Sequence, residues 1–181
     1  MPTHAAFLKG MNLGNRRLTN EELRGHFETI GLTDVATFRA SGNVVFTAPK
    51  RRSEQALTEL IEGELASLLG YPVATFLRTA ADVRAIAAAE PFDAATRKRL
   101  GGKPQVMLLT GTPKPGTRRE ALSLAGTQDA LAFEGRELHW LPSGGISESP
   151  LDVKALERML GPMTVRTMGT VEQIAARHFL A

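Results

Sequence analysis

The chain of 181 residues contains no cysteine, which excludes disulfides, thiol catalysis and thiolate metal sites. Histidine is scarce. His4, His26, His139 and His178 are widely spaced, which argues against a zinc site, and no metal or cofactor is expected. No apolar run approaches the length of a membrane span, and Met-Pro-Thr-His at the start is followed by only a short apolar stretch before Lys9. No membrane association and a cytoplasmic location are the expectations. The charge excess is also small. Twenty-two basic against nineteen acidic residues leave +3, so the sequence pI of 9.6 favours polyanionic partners only mildly.

What is present is a repeated phrase. "FETIGLTDVATF" at 27–38 and "ASLLGYPVATF" at 66–76 each stop an amphipathic stretch at a glycine, Gly31 or Gly70. A β-branched run then resumes, and "ERMLGPMTVRT" does the same at Gly161. Helix starts agree with these stops. Thr19 with Glu22 and Thr170 with Gln173 read as capping boxes, and Ser149 before Pro150 reads as an N-cap. Strands are expected over 5–8, 35–40, 43–48 and 73–77, with Ser41-Gly42-Asn43 as a tight link.

The order strand, helix, strand, strand, helix, strand is that of a ferredoxin-like split βαβ. After a short helix near 80–89 a similar order resumes: a strand in "QVMLLT", a helix over 116–125 and a hairpin turning at Gly135. A helix over 149–160, a strand in "TVRT" and a last helix over 170–179 follow. The fold expected is α+β, with two ferredoxin-like (βαββαβ) halves, a connecting helix and a C-terminal helix. Its parts are an N-terminal half at 1–90, a basic joint at 91–104 and a C-terminal half at 105–181.

"FLKGMNLG", "LTNEELRGHFETIGL" and "FRASGNVVF" together resemble the bacterial family labelled domain of unknown function 1697. In that family the first strand ends in Arg-Gly followed by Ile-Asn-Val-Gly, so Lys9 stands for the Arg while Gly10, Asn12 and Gly14 match. Ser41-Gly42-Asn43 matches directly. The resemblance implies a fold and a bacterial setting but no activity. Two segments depart from the family pattern. Pro150 stands where a Lys closes a Gly-rich turn. Before the last helix Thr164, Arg166 and Thr170 match, but Thr167, Met168 and Gly169 replace polar and aromatic members.

Two basic features are candidate anion sites. In the first, Lys9, Arg16 and Arg17 flank Gly10 and Gly14, which let a backbone approach a ligand closely. It matches neither a P-loop nor a dinucleotide fingerprint, and a plain strand-to-helix turn is the competing reading. The helix start beyond it is a poor anion site, because the Thr19–Glu22 box occupies its amides and Glu21 and Glu22 repel phosphate. The second feature is the stretch from Ala94 to Arg119, with seven basic residues and no acid. It can bind nucleic-acid backbone by releasing counterions, or it can be a solvated loop.

Other routes are thinner. An RNA-recognition sheet stacks bases on aromatics of its third strand, but in "SGNVVFTA" those positions hold Asn43 and Val45. Arg39, Ser41 and Asn43 could line a cleft, although Ser-Gly-Asn is equally tight-turn chemistry. No histidine or carboxylate stands at a diagnostic spacing from Ser41, Ser143 or Ser147. His139, beside Trp140 on a strand whose alternation points one of them inward, reads as a hydrogen-bonded structural histidine. Glu54, Glu59, Glu62 and Glu64 read as an acidic helix face, either solvated or a contact for one of the basic runs. The leading reading is therefore a polyanion-binding module meeting nucleic-acid backbone or a nucleotide phosphate through Lys9, Arg16, Arg17 and the basic joint. The alternative is an enzyme on a small phosphorylated metabolite in the cleft between the halves, oriented by Arg39, Asn43 and Arg166.

Overall fold

The computed structural model describes residues 1–11, 17–39 and 42–180. The chain forms two compact units, one of residues 1–85 with 173–181 and one of residues 86–172. Among the described residues the protein is a mixed α+β chain with two four-stranded antiparallel sheets and seven helices. None of these helices is long and apolar enough to cross a membrane.

The first unit begins with β1 (His4–Lys9), α1 (Asn20–Thr29), β2 (Thr33–Thr37) and β3 (Asn43–Thr47). It continues with α2 (Glu54–Leu69) and β4 (Ala74–Thr79), and its sheet runs β2-β3-β1-β4. The capping box of α1 is present: Glu22 N donates to Thr19 Oγ1 at 3.1 Å, and Thr19 N donates to Glu22 Oε2 at 2.8 Å. Helix α2 places Leu57, Ile61, Leu65 and Leu69 four residues apart, so all four fall on one buried face. Each contributes about 1.5–3 kcal/mol by leaving water. They meet Ala6, Leu8, Val44, Phe46 and Leu77 from alternate positions of the strands. The helix ends at Gly70, whose φ of 78° is left-handed and which donates its N–H to Ala66 O at 2.9 Å.

Strand β2 spans 33–37 rather than 35–40. Arg39 takes φ 58°, which is incompatible with extended backbone and ends the strand before the hairpin. The acidic positions of α2 are not bare surface: Glu62 Oε1 accepts from Thr75 N at 2.8 Å, and Glu64 Oε1 lies 3.1 Å from His26 Nδ1.

Helix α3 (Ala80–Ala88) follows β4, with Asp82 and Thr79 exchanging side-chain-to-amide hydrogen bonds at its start. The second unit then has α4 (Ala94–Leu100), β5 (Gln105–Leu109), α5 (Pro115–Leu122), β6 (Asp129–Glu134) and β7 (Glu137–Pro142). It closes with α6 (Val153–Leu160), β8 (Met163–Thr167) and the first turns of α7 (Met168–His178). From β5 to β8 the element order repeats that of β1 to β4, and the sheet order β6-β7-β5-β8 repeats too. Met107, Leu109, Leu138, Trp140 and Met163 form its core with Ala121 of α5 and Leu156 of α6.

Two helix starts differ from the sequence expectation. Helix α6 begins at Val153 under Asp152, whose Oδ1 accepts from Ala155 N at 2.9 Å. Ser149 is engaged elsewhere. Its hydroxyl donates to Asp129 Oδ1 at 2.7 Å and accepts from Leu151 N at 3.1 Å, and Trp140 Nε1 donates to the same carboxylate oxygen at 2.7 Å. That network fastens the loop after β7 to the sheet. At α7 the hydroxyl receiving Thr170 N is Thr167, at 3.2 Å, so the helix starts two residues before the expected box.

Candidate functional site

The second unit contains a cavity of about 280 Å³. One wall is the end of α3 and the segment after it, Ala87 to Phe92, and Arg97 of α4 stands at the rim. Pro104, Gln105, His139 of β7, and Met168 and Glu172 of α7 complete it. The path of the chain here depends on Gly102. A Cβ at this position would lie 2.1 Å from Pro142 O, while the Gly102 N–H donates to that same carbonyl at 3.1 Å. Only glycine lets the link between α4 and β5 pass this close to the end of β7.

His139 is the buried polar group of the cavity wall. It is 1% exposed, and Trp140 beside it is 2% exposed, so both faces of β7 are buried rather than one. The reading of His139 as hydrogen-bonded is corrected at one atom: its Nε2 is buried without a hydrogen-bond partner, with Glu134 Oε2 3.9 Å away. Burial holds the imidazole below its ordinary pKa, and Glu134 opposes this more weakly. His139 is therefore neutral at pH 7, with a hydrogen-bonding capacity that the protein leaves unmet.

The basic segment runs along the same unit. Arg97, Lys98 and Arg99 occupy the last turn of α4, where cations complement the carbonyl end of the helix. Arg97 lies 3.9 Å from Glu90, and Arg99 donates to the Thr127 carbonyl at 2.7 Å. Lys98 and Lys103 are exposed and have no ion pair among the described residues. The second group starts at Lys114, at the other end of β5, about 17 Å away for five residues. There Arg118 lies 5.1 Å over the Phe133 ring, a cation–π contact, and Arg119 is exposed. Among the described residues no group of three or more His, Asp or Glu side chains could hold a metal.

A family model, described as protein of unknown function (DUF1697), matches residues 1–139, more than three quarters of the chain. The chain belongs to this family. It is also similar to the solved structure of a conserved bacterial protein, SP0830, from Streptococcus pneumoniae, at 20% identity with a TM-score of 0.74. That likeness covers 97% of both chains, and at this identity it shows the fold alone. No curated protein matches.

The candidate residues of this DUF1697 chain fall in two places. Lys9 ends β1, and Gly10 follows with φ 70°. Leu8 N donates to Gly42 O at 2.8 Å, and Phe7 faces Asn43, so this end of β1 lies against the β2–β3 hairpin. Asn43 is buried there, its Nδ2 donating to Phe38 O at 3.2 Å. Arg39 donates to Gln173 Oε1 at 2.9 Å and lies 5.5 Å over the Phe38 ring. Arg17 is exposed, while Asn12, Gly14, Arg16 and Ser41 lie outside the described residues. Arg166 belongs to the second unit. It donates to Thr164 Oγ1 at 2.7 Å and to Val165 O at 2.9 Å, and burial lowers its pKa to about 10.

The sequence reading missed the cavity. Its lining is assembled from five separated stretches, and the one local signal was a histidine placed beside the tryptophan of a buried strand.

Proposed function

We propose that this DUF1697 chain is a polyanion-binding module, with α4 and Lys103 as its main contact and a nucleic-acid backbone as its partner. The observation that carries the reading is how few close carboxylates these cations have, Asp93 at the start of α4 attracting Arg97 and Arg99 without pairing with either. Of Arg97, Lys98, Arg99 and Lys103, only Arg97 has a carboxylate within 4 Å among the described residues. From Glu120 to Glu172, by contrast, eight acids outnumber four basic residues, so charge is segregated along the unit. Exposed cations without carboxylates retain the counterion exchange that drives phosphate binding. A polymer also fits better than a single nucleotide phosphate, because the Lys114 group stands at the far end of β5. The reading takes each unit as a ferredoxin-like βαββαβ fold, residues 91–104 as the basic joint between 1–90 and 105–181, and the cytoplasm as the setting.

The test is binding of a labelled single-stranded oligonucleotide across a salt series. Four phosphate contacts give a log–log slope of about −3. No binding at low salt, or binding indifferent to salt, overturns the reading.

A second reading, an enzyme on a small phosphorylated metabolite, has one observation in its favour: Lys9, Gly10, Arg39 and Asn43 meet at one end of the first sheet. A rise in melting temperature with one phosphorylated metabolite of a panel, followed by turnover, would favour it over the first.

A further inference from the structure

The cavity of the second unit has a chemistry opposite to that of the basic segment. Glu90 and Glu172 stand at its rim with one cation, Arg97, whose guanidinium already lies 3.9 Å from Glu90. Glu172 is exposed and has no ion pair among the described residues. The end of α3 contributes Ala87 and Ala88, and the carbonyl end of a helix adds partial negative charge. At the opposing amino end of α7, two of the first three amides are already engaged. Met168 N donates to Pro104 O at 2.9 Å, and Thr170 N to Thr167 Oγ1 at 3.2 Å. His139, neutral at pH 7, adds no positive charge, and Glu134 lies behind it at 3.9 Å. Phe92, Pro91 and Met168 supply apolar wall.

We propose that this cavity binds a small organic cation, an amine carried on a compact apolar body, with the ammonium group at Glu172 and the carbonyl end of α3. The body lies along Phe92 and Met168. A volume of about 280 Å³ is just under the usual range for drug-sized ligands, which fits a single ring with a short chain. The inference is independent of the polyanion reading, since the two rest on groups of opposite charge.

The experiment titrates the full chain with phenethylamine and, separately, with its carboxylate analogue 3-phenylpropanoate, following backbone amide NMR signals. Phenethylamine is expected to shift signals of residues 87–92 and 168–172, and the carboxylate to shift none of them. Glu172→Gln, an exposed change that leaves the melting temperature unaltered, is expected to weaken the amine about tenfold. The proposal is overturned if the carboxylate binds as well as the amine. Amine affinity unchanged in Glu172→Gln, or no shift at millimolar amine, also overturns it.

Discussion

The two units share an order of elements and an order of strands but invest their residues differently. The first is built around one long helix, α2, of 16 residues with four aliphatic side chains on its buried face. The second uses two helices of eight residues, α5 and α6, and draws on Trp140 and its hydrogen bond to Asp129. The cations at the sheet end of the first unit are partly engaged, as Arg39 is by Gln173. Those of α4 in the second have one ion pair within 4 Å, Arg97 with Glu90, and the more distant attraction of Asp93. The same topology thus carries, in the second unit, a cavity with Glu90, Glu172 and one cation, Arg97, in its lining, and a separate run of exposed cations along α4. The binding chemistry is assigned to the second unit for that reason.

Truncating the cores gives the largest expected effect. Ile61→Ala and Leu156→Ala each remove a side chain that is 0% exposed, and each should cost about 2–5 kcal/mol by denaturant unfolding. If the units fold independently, each change lowers one of two transitions. A single transition lowered by both would break the comparison and make the chain one cooperative body.

A pair of glycines sharpens it. Gly102→Ala sets a Cβ against the Pro142 carbonyl and should cost about 1–3 kcal/mol, with loss of the cavity. Gly63→Ala in α2 meets no atom within 4 Å and should stabilise by about 0.5–1 kcal/mol. Thermal melts of the two variants moving in the same direction would contradict this.

The smallest effect concerns acid. His4, His139 and His178 all have pKa values lowered from 6.5, with burial as the leading cause. Below pH 6.5 the unfolded chain therefore binds more protons than the folded one. Stability is complete above about pH 6.5 and declines as pH falls through the lowered values. His139→Gln should flatten the fall in melting temperature between about pH 7 and pH 5, and an unchanged profile would show that His139 does not report on the second unit.

Much of the fold was legible because glycines and caps act locally. Gly70 ends α2, Gly135 turns the β6–β7 hairpin with φ 58°, and Thr19 with Glu22 starts α1, each from neighbours in sequence. Errors arose where a distant partner took the side chain. Ser149 looked like a cap but is held by Asp129, twenty residues away, which leaves the cap to Asp152. Alternation pointed only one of His139 and Trp140 inward, because it cannot tell that both faces of a strand are covered. The basic segment was legible as composition, whereas its scarcity of close carboxylates required the positions of Glu90, Thr127 and Phe133.

The most direct measurement is fluorescence anisotropy of a labelled single-stranded oligonucleotide with three proteins in rising salt. These are the unmodified chain, Lys98→Glu/Lys103→Glu in the second unit, and Arg51→Glu/Arg52→Glu at an exposed loop of the first. Assignment of binding to α4 and Lys103 predicts that the first double variant loses affinity and flattens the salt slope by about 1.4, while the second keeps both. Equal losses in the two variants, or no loss in Lys98→Glu/Lys103→Glu, would contradict it.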